Sequence, residues 1–188
     1  WGLHKRIATL ALRHIGGTPR RILGALMAVA AFLSLWMSNT STTLMMVPIA
    51  ESIANRLSEH GVNRRHGSTV FLLGVAYAAT IGGIGTIVGS PPNAVAAAYL
   101  QVSLGLEVSF LEWMRLGVPI VLVMVPLTWA LLAWVLFPLK GSSDSQRALE
   151  LQGELEPAAP MRFGEWAVLL ICAGTAVMWM IRLPLKGV

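Results

Sequence analysis

Gly82-Gly83-Ile84-Gly85-Thr86-Ile87-Val88-Gly89-Ser90-Pro91-Pro92-Asn93 lies inside a run of 40 residues, Gly67 to Leu106, that carries no formal charge. A helix crosses hydrocarbon with about 20 apolar residues, so a run twice that long has to be interrupted. The quoted segment supplies the interruption. Its four glycines relax the backbone and its two prolines remove amide donors. Pro91-Pro92 can open a new half-helix but cannot continue an old one. The expectation is a broken transmembrane helix over 67–106.

Upstream, Ile22 to Ala50 is also uncharged, for 29 residues, yet its centre holds seven polar residues within ten: Ser34, Ser38, Asn39, Thr40, Ser41, Thr42 and Thr43. Such a cluster is costly on a lipid-facing helix. Lys5, Arg6, Arg13, Arg20 and Arg21 precede the stretch, and Arg56, Arg64 and Arg65 follow it, so both flanks favour the cytoplasmic side. A single crossing cannot satisfy that, whereas a re-entrant hairpin over 19–57 can. It enters on Pro19 to Met37, turns at the polar cluster and returns on Ser41 to Leu57.

The remaining segments complete an all-α membrane protein. Residues 1–18 alternate basic and apolar positions and read as an amphipathic interfacial helix, with Thr18 and Pro19 starting the next one. Glu107 to Arg115 has two Glu and one Arg, which suits the outer face, and a transmembrane helix follows over 114–139. Residues 140–162, rich in Gly, Ser, Glu, Ala and Pro, read as a cytoplasmic linker. A further transmembrane helix opens over 163–183.

Composition agrees with a bilayer as solvent: 55% of residues are hydrophobic and 12% charged, outside the ordinary range of a water-soluble domain. The net charge of +5 comes from residues flanking apolar spans and reads as positive-inside charge, not as a nucleic-acid surface. Cys172 is alone, which excludes an internal disulfide and a cysteine-rich metal site. Trp1 is not an initiator Met, no signal-peptide pattern follows it, and Val188 closes an apolar segment, so a fragment of a longer protein is expected.

Unwound backbone inside a bilayer is tolerated where it lines a cavity, and paired breaks point to a transporter's binding site. Ser34 and Ser38, four apart, are expected to share a helix face and converge with the Asn39 amide oxygen, a hard-oxygen set suited to Na⁺. A carboxylate can then be held by the Asn39 amide NH₂, the Thr40 hydroxyl and free amides at Ser41 to Thr43. A bound Na⁺ beside a helix N-terminus replaces a costly buried Lys or Arg.

Other readings of the same residues are weaker. The hydroxyl cluster can serve helix packing, and Gly85 and Gly89 can form a small-xxx-small contact. The glycine spacing fits neither a dinucleotide fingerprint nor a P-loop. Asn39-Thr40-Ser41 is a glycosylation sequon that a buried hairpin tip would hide. His4, His14, His60 and His66 lack a second ligand at helical spacing, and Glu51, Asn55 and Glu59 read as solvent-exposed, so no metal other than sodium is expected. Trp113 and Trp166 are placed as interfacial belt residues. A hydrolase using Ser38 needs a nearby base, and the uncharged spans hold none but His66 at a boundary, so an enzyme is not expected. Proton coupling normally uses an intramembrane acid or His, which disfavours a proton-coupled carrier or antiporter. A non-transporting scaffold is the remaining class.

Leu35 to Ala50 around Ser38-Asn39-Thr40, together with Tyr77 to Thr86 and Gly89-Ser90-Pro91-Pro92-Asn93, closely resembles the divalent anion:sodium symporter family. That family comprises sodium-dependent dicarboxylate, citrate and sulfate carriers, and the resemblance covers roughly residues 15 to 185. It implies a homodimeric plasma (inner) membrane protein with two inverted repeats and an elevator-type movement. Sodium would be the coupling ion and a small dianion, foremost a C4-dicarboxylate, the substrate; sulfate or another anion is the alternative. Ser34, Ser38, Asn39 and the backbone of Gly89 would form a sodium site. Asn39, Thr40 and Ser90 would face the substrate, with Pro91, Pro92 and Asn93 shaping the broken helix. The second Ser-Asn-Thr motif expected in the other repeat is absent from this chain.

Overall fold

A computed structural model of the protein describes residues 18–59, 64–137 and 163–181, and all regular structure among them is helical. The interfacial helix expected over 1–18, beyond Thr18, and the linker expected over 140–162 lie outside the described residues.

Helix α1 (Pro19–Ser34) begins at a capped end. Thr18 is extended and its side-chain oxygen accepts the Arg21 N–H at 3.4 Å, while Pro19 fills a first-turn position that needs no donor. The chain turns through residues 35–38 and re-enters a helix, α2 (Asn39–Glu59). Helix α3 (Arg64–Gly83) and helix α4 (Pro91–Leu104) are separated by the loop 84–90. Pro91 and Pro92 have no N–H to give the carbonyls of Ile87 and Val88, so α4 has to start afresh.

Helix α5 (Phe110–Ala130) starts four residues before the expected position of 114. Ser109 and Glu112 form a capping box: the Ser109 hydroxyl accepts the Glu112 N–H at 3.2 Å and the Glu112 carboxylate accepts the Ser109 N–H at 2.7 Å. The helix runs on as a π-helical turn, Leu131–Leu136. Helix α6 (Phe163–Ile181) follows the undescribed segment.

Helix α3 is the hub, packing along α1, α2 and α5. Its Val70, Phe71, Val75 and Ala78 are fully buried in one core with Leu23, Leu26, Met27 and Ala30 of α1. Met46, Ala50, Ala54 and Leu57 of α2 complete that core, and their spacing marks one helical stripe. The α1–α3 contact is backbone to backbone: a Cβ on Gly82 would stand 2.6 Å from Ala31 Cα. At the other end of α1, the Trp129 indole N–H donates to the Arg20 carbonyl at 2.8 Å. The Arg20 guanidinium lies 5.8 Å from the Trp134 ring centroid.

The outer surface is apolar. Helix α4 buries none of its residues and exposes Val95, Tyr99, Val102 and Leu104, and α5 exposes Leu116, Leu122 and Val123. Among the described residues one helix, Phe110–Leu136, is long and apolar enough to cross a membrane, and Trp166–Trp179 is a shorter apolar helix. The uncharged stretches over 22–50 and 67–106 are each divided, by the turn at 35–38 and the loop at 84–90.

Candidate functional site

The two non-helical segments meet. The turn after α1 and the loop after α3 are joined by Thr86, a fully buried side chain whose hydroxyl donates to the Leu35 carbonyl at 2.5 Å. The same oxygen accepts the Gly89 N–H at 3.0 Å. Asn93, on the first turn of α4, closes the loop from the other side, its amide donating to the carbonyls of Gly83 at 2.7 Å and Thr86 at 2.8 Å. Gly89 sits where the segments cross: a Cβ there would lie 2.6 Å from the Gly83 carbonyl oxygen and 2.7 Å from that of Ser34. No side chain fits that space.

Asn39 opens α2 at this junction. Its carboxamide lies 2.7 Å from the hydroxyl of Ser34, which is fully buried at the end of α1. In the orientation that satisfies its surroundings, the amide nitrogen donates to Ser34 Oγ at 2.7 Å, to the Ala79 carbonyl at 3.1 Å and to the Gly89 carbonyl at 3.2 Å. An amide nitrogen has two hydrogens, and here it faces three oxygens. The position is therefore rich in oxygens, a local field that favours a positive charge.

Of the expected sodium ligands, the structure brings Ser34, Asn39 and Gly89 together and leaves the Ser38 side chain apart. Because α1 ends at Ser34, Ser34 and Ser38 do not share a helix face. Ser38 instead caps α2: its hydroxyl donates to Ser41 Oγ at 2.8 Å and accepts the Ser41 N–H at 3.3 Å. The Thr42 N–H goes to the Ser38 carbonyl at 3.0 Å. These bonds take up the amides expected to be free at Ser41 and Thr42 and shift the open donors to Asn39 and Thr40.

Among the expected substrate contacts, the Thr40 side chain is exposed and Ser90 is half-buried. Ser90 holds the N-cap position of α4 with no side-chain cap bond, so its hydroxyl is uncommitted there. Pro91 and Pro92 are exposed and fill the first two positions of α4, and Asn93 braces the loop. Thr86 is the residue that sequence reasoning missed. Its signal is slight: a threonine in a glycine-rich break, where freed carbonyls need a donor. Trp113, expected as a belt residue, is half-buried and its indole N–H donates to the Ile84 carbonyl at 2.9 Å. Trp166 is half exposed.

The profile of the citrate transporter family matches residues 1–188. The chain is 32% identical over 193 residues to the sodium-dependent dicarboxylate transporter SdcS of Staphylococcus saprophyticus subsp. saprophyticus, covering 97% of this chain and 36% of that protein. It is 32% identical over 190 residues to the protein of the same name from Staphylococcus aureus strain USA300, with the same coverage. The chain thus spans 36% of the length of these curated relatives.

Proposed function

This chain belongs to the citrate transporter family, and from that premise we propose that it supplies one of two sodium sites in a sodium-coupled symporter of small dianions. The observation that carries the reading is the ring of Ser34 Oγ, Ala79 O and Gly89 O around the Asn39 carboxamide. Freed and helical carbonyls with a hydroxyl form a hard-oxygen set, and a carboxamide that turns its own oxygen inward adds a ligand when a cation enters. Ser38, which caps α2 in this structure, would join the set by turning its hydroxyl away from Ser41.

The anion half of the reading follows from the same geometry. Sodium at this point would stand beside the first amides of α2, and a substrate carboxylate would meet Asn39, Thr40 and the uncommitted Ser90 hydroxyl without a buried basic residue. Binding is then coupled: the cation supplies the positive potential that the anion needs. A C4-dicarboxylate is the proposed cargo, supported by the names of the relatives.

In the whole protein, residues 19–57 form a re-entrant hairpin and 67–106 a broken transmembrane helix, with 114–139 and 163–183 as further spans. Both ends of the 19–57 hairpin face the cytoplasmic side of the plasma membrane in this reading. A homodimer moving by an elevator-type displacement completes the proposal.

The test is uptake of radiolabelled succinate by the full-length parent protein in proteoliposomes, with a sodium or a potassium gradient. The expected result is saturable uptake that requires Na⁺ and is lost in Asn39→Ala. Equal uptake in both gradients rejects the coupling, and sodium-dependent uptake of sulfate without succinate moves the cargo to the inorganic anions.

A further inference from the structure

One face of α5 touches both non-helical segments. Phe110, Trp113, Gly117 and Val121 recur at three- and four-residue spacing, which places them on a single helical stripe. The Phe110 ring stacks on Trp36 in the turn after α1, with centroids 6.5 Å apart. The Trp113 indole N–H donates to Ile84 O at 2.9 Å. One turn further on, a Cβ on Gly117 would stand 2.7 Å from that same oxygen and 3.0 Å from Gly85 Cα. Val121 Cγ2 lies 3.3 Å from the place a Gly85 Cβ would take.

The Ile84 carbonyl is where helical bonding fails. Helix α3 ends at Gly83, and residue 88, which would donate to Ile84 in a continuing helix, lies in the loop. On a surface that faces lipid a carbonyl left without a donor is costly, and the indole supplies the donor from outside the loop. From Ile84 the loop runs through Thr86, which holds Leu35 O and Gly89 N–H, to Gly89 O, one of the three oxygens around Asn39.

We propose that Trp113 is a positioning residue for the sodium site: by holding Ile84 O it fixes the 84–89 loop, and with it the direction of the Gly89 carbonyl. It touches no ion. The role rests on the sodium-coupled reading above. It predicts a change in sodium affinity in place of a general loss of fold or of substrate contact.

Two substitutions separate the hydrogen bond from the bulk. Trp113→Phe keeps an aromatic ring and removes the donor; Trp113→His loses bulk but carries Nε2 at the ring position that indole Nε1 occupies. Full-length protein in proteoliposomes at about pH 8, where imidazole is neutral, is assayed for succinate uptake against external Na⁺. Trp113→Phe is expected to raise the half-saturating Na⁺ about fivefold, the size of one lost hydrogen bond. The succinate KM at saturating Na⁺ should stay within about twofold, because no substrate contact is removed. Trp113→His should stay near the unsubstituted protein. Gly117→Ala, which crowds the same carbonyl and leaves the indole in place, should shift sodium in the same direction and serves as the measure if Trp113→Phe does not assemble. Trp166→Phe, on an exposed side chain of α6, is the control.

Unchanged sodium dependence in both Trp113→Phe and Gly117→Ala overturns the role. So does a Trp113→His protein impaired as much as Trp113→Phe, since bulk would then be what matters. Sodium-independent uptake by the unsubstituted protein overturns the coupling reading itself, and the positioning role with it.

Discussion

Thr86 donates its hydroxyl hydrogen to the carbonyl of Leu35, 51 residues away in sequence, at 2.5 Å. The bond crosses from the loop after α3 to the turn after α1, and the same oxygen accepts the Gly89 N–H at 3.0 Å. One side chain thus satisfies two backbone groups that helix termination left open.

Thr86→Val removes both bonds and keeps the shape. Orphaning a part-buried carbonyl and a buried amide is expected to cost about 2–3 kcal/mol, read as a lowered Tm of the purified full-length protein. Thr86→Ser should recover most of it. A Thr86→Val protein with an unchanged Tm would show that the junction is held by other means.

Gly89→Ala places a methyl group 2.6 Å from the Gly83 carbonyl oxygen and 2.7 Å from that of Ser34. Both neighbours are backbone and cannot rotate away. Uptake with saturating Na⁺ is expected to fall to background in membranes that still contain the protein, as quantified by immunoblot. Normal uptake would mean that the two segments are free to separate.

Asn39→Asp exchanges a donor for a carboxylate that faces Ser34 Oγ, Ala79 O and Gly89 O. Without a cation, oxygens then face oxygens, and a buried uncompensated charge is expensive. The expected protein has a lower Tm in potassium buffer, and sodium raises its Tm by more than it raises that of the unsubstituted protein. An equal sodium-induced gain in both would argue against a cation at that position.

Thr42 is fully buried and its hydroxyl has no hydrogen-bond partner. Thr42→Val keeps the volume and removes the unmet polar group, so stability should rise by up to about 1–2 kcal/mol, measured as a higher midpoint in thermal unfolding. A fall in stability or in uptake would instead assign the hydroxyl a ligand in the complete protein.

The all-helical class was legible because long uncharged runs leave few other solutions in hydrocarbon, and the two interruptions because polar or Gly-Pro segments stand out within them. Asn39 and Gly89 were readable as neighbours only through the family pattern, since nothing local says that residues 50 apart meet. The Ser34–Ser38 spacing misled, because a shared face requires a helix to continue and this one stops at Ser34. Thr86 and Trp113 escaped for a common reason. Each acts through a hydrogen bond to a backbone carbonyl far along the chain, and carbonyls carry no letter in a sequence. A tryptophan near a span end reads as an interface belt residue, and its N–H bond to Ile84 shows only in the structure.

Pro91 and Pro92 give the loop 84–90 a permanence that glycine alone would not. A glycine-rich gap alone can close into continuous helix, whereas here closure would leave the carbonyls of Ile87 and Val88 without donors, because two consecutive proline nitrogens carry no hydrogen. An ion proposed to enter and leave beside Gly89 would therefore meet little competition from refolding of the chain across the gap.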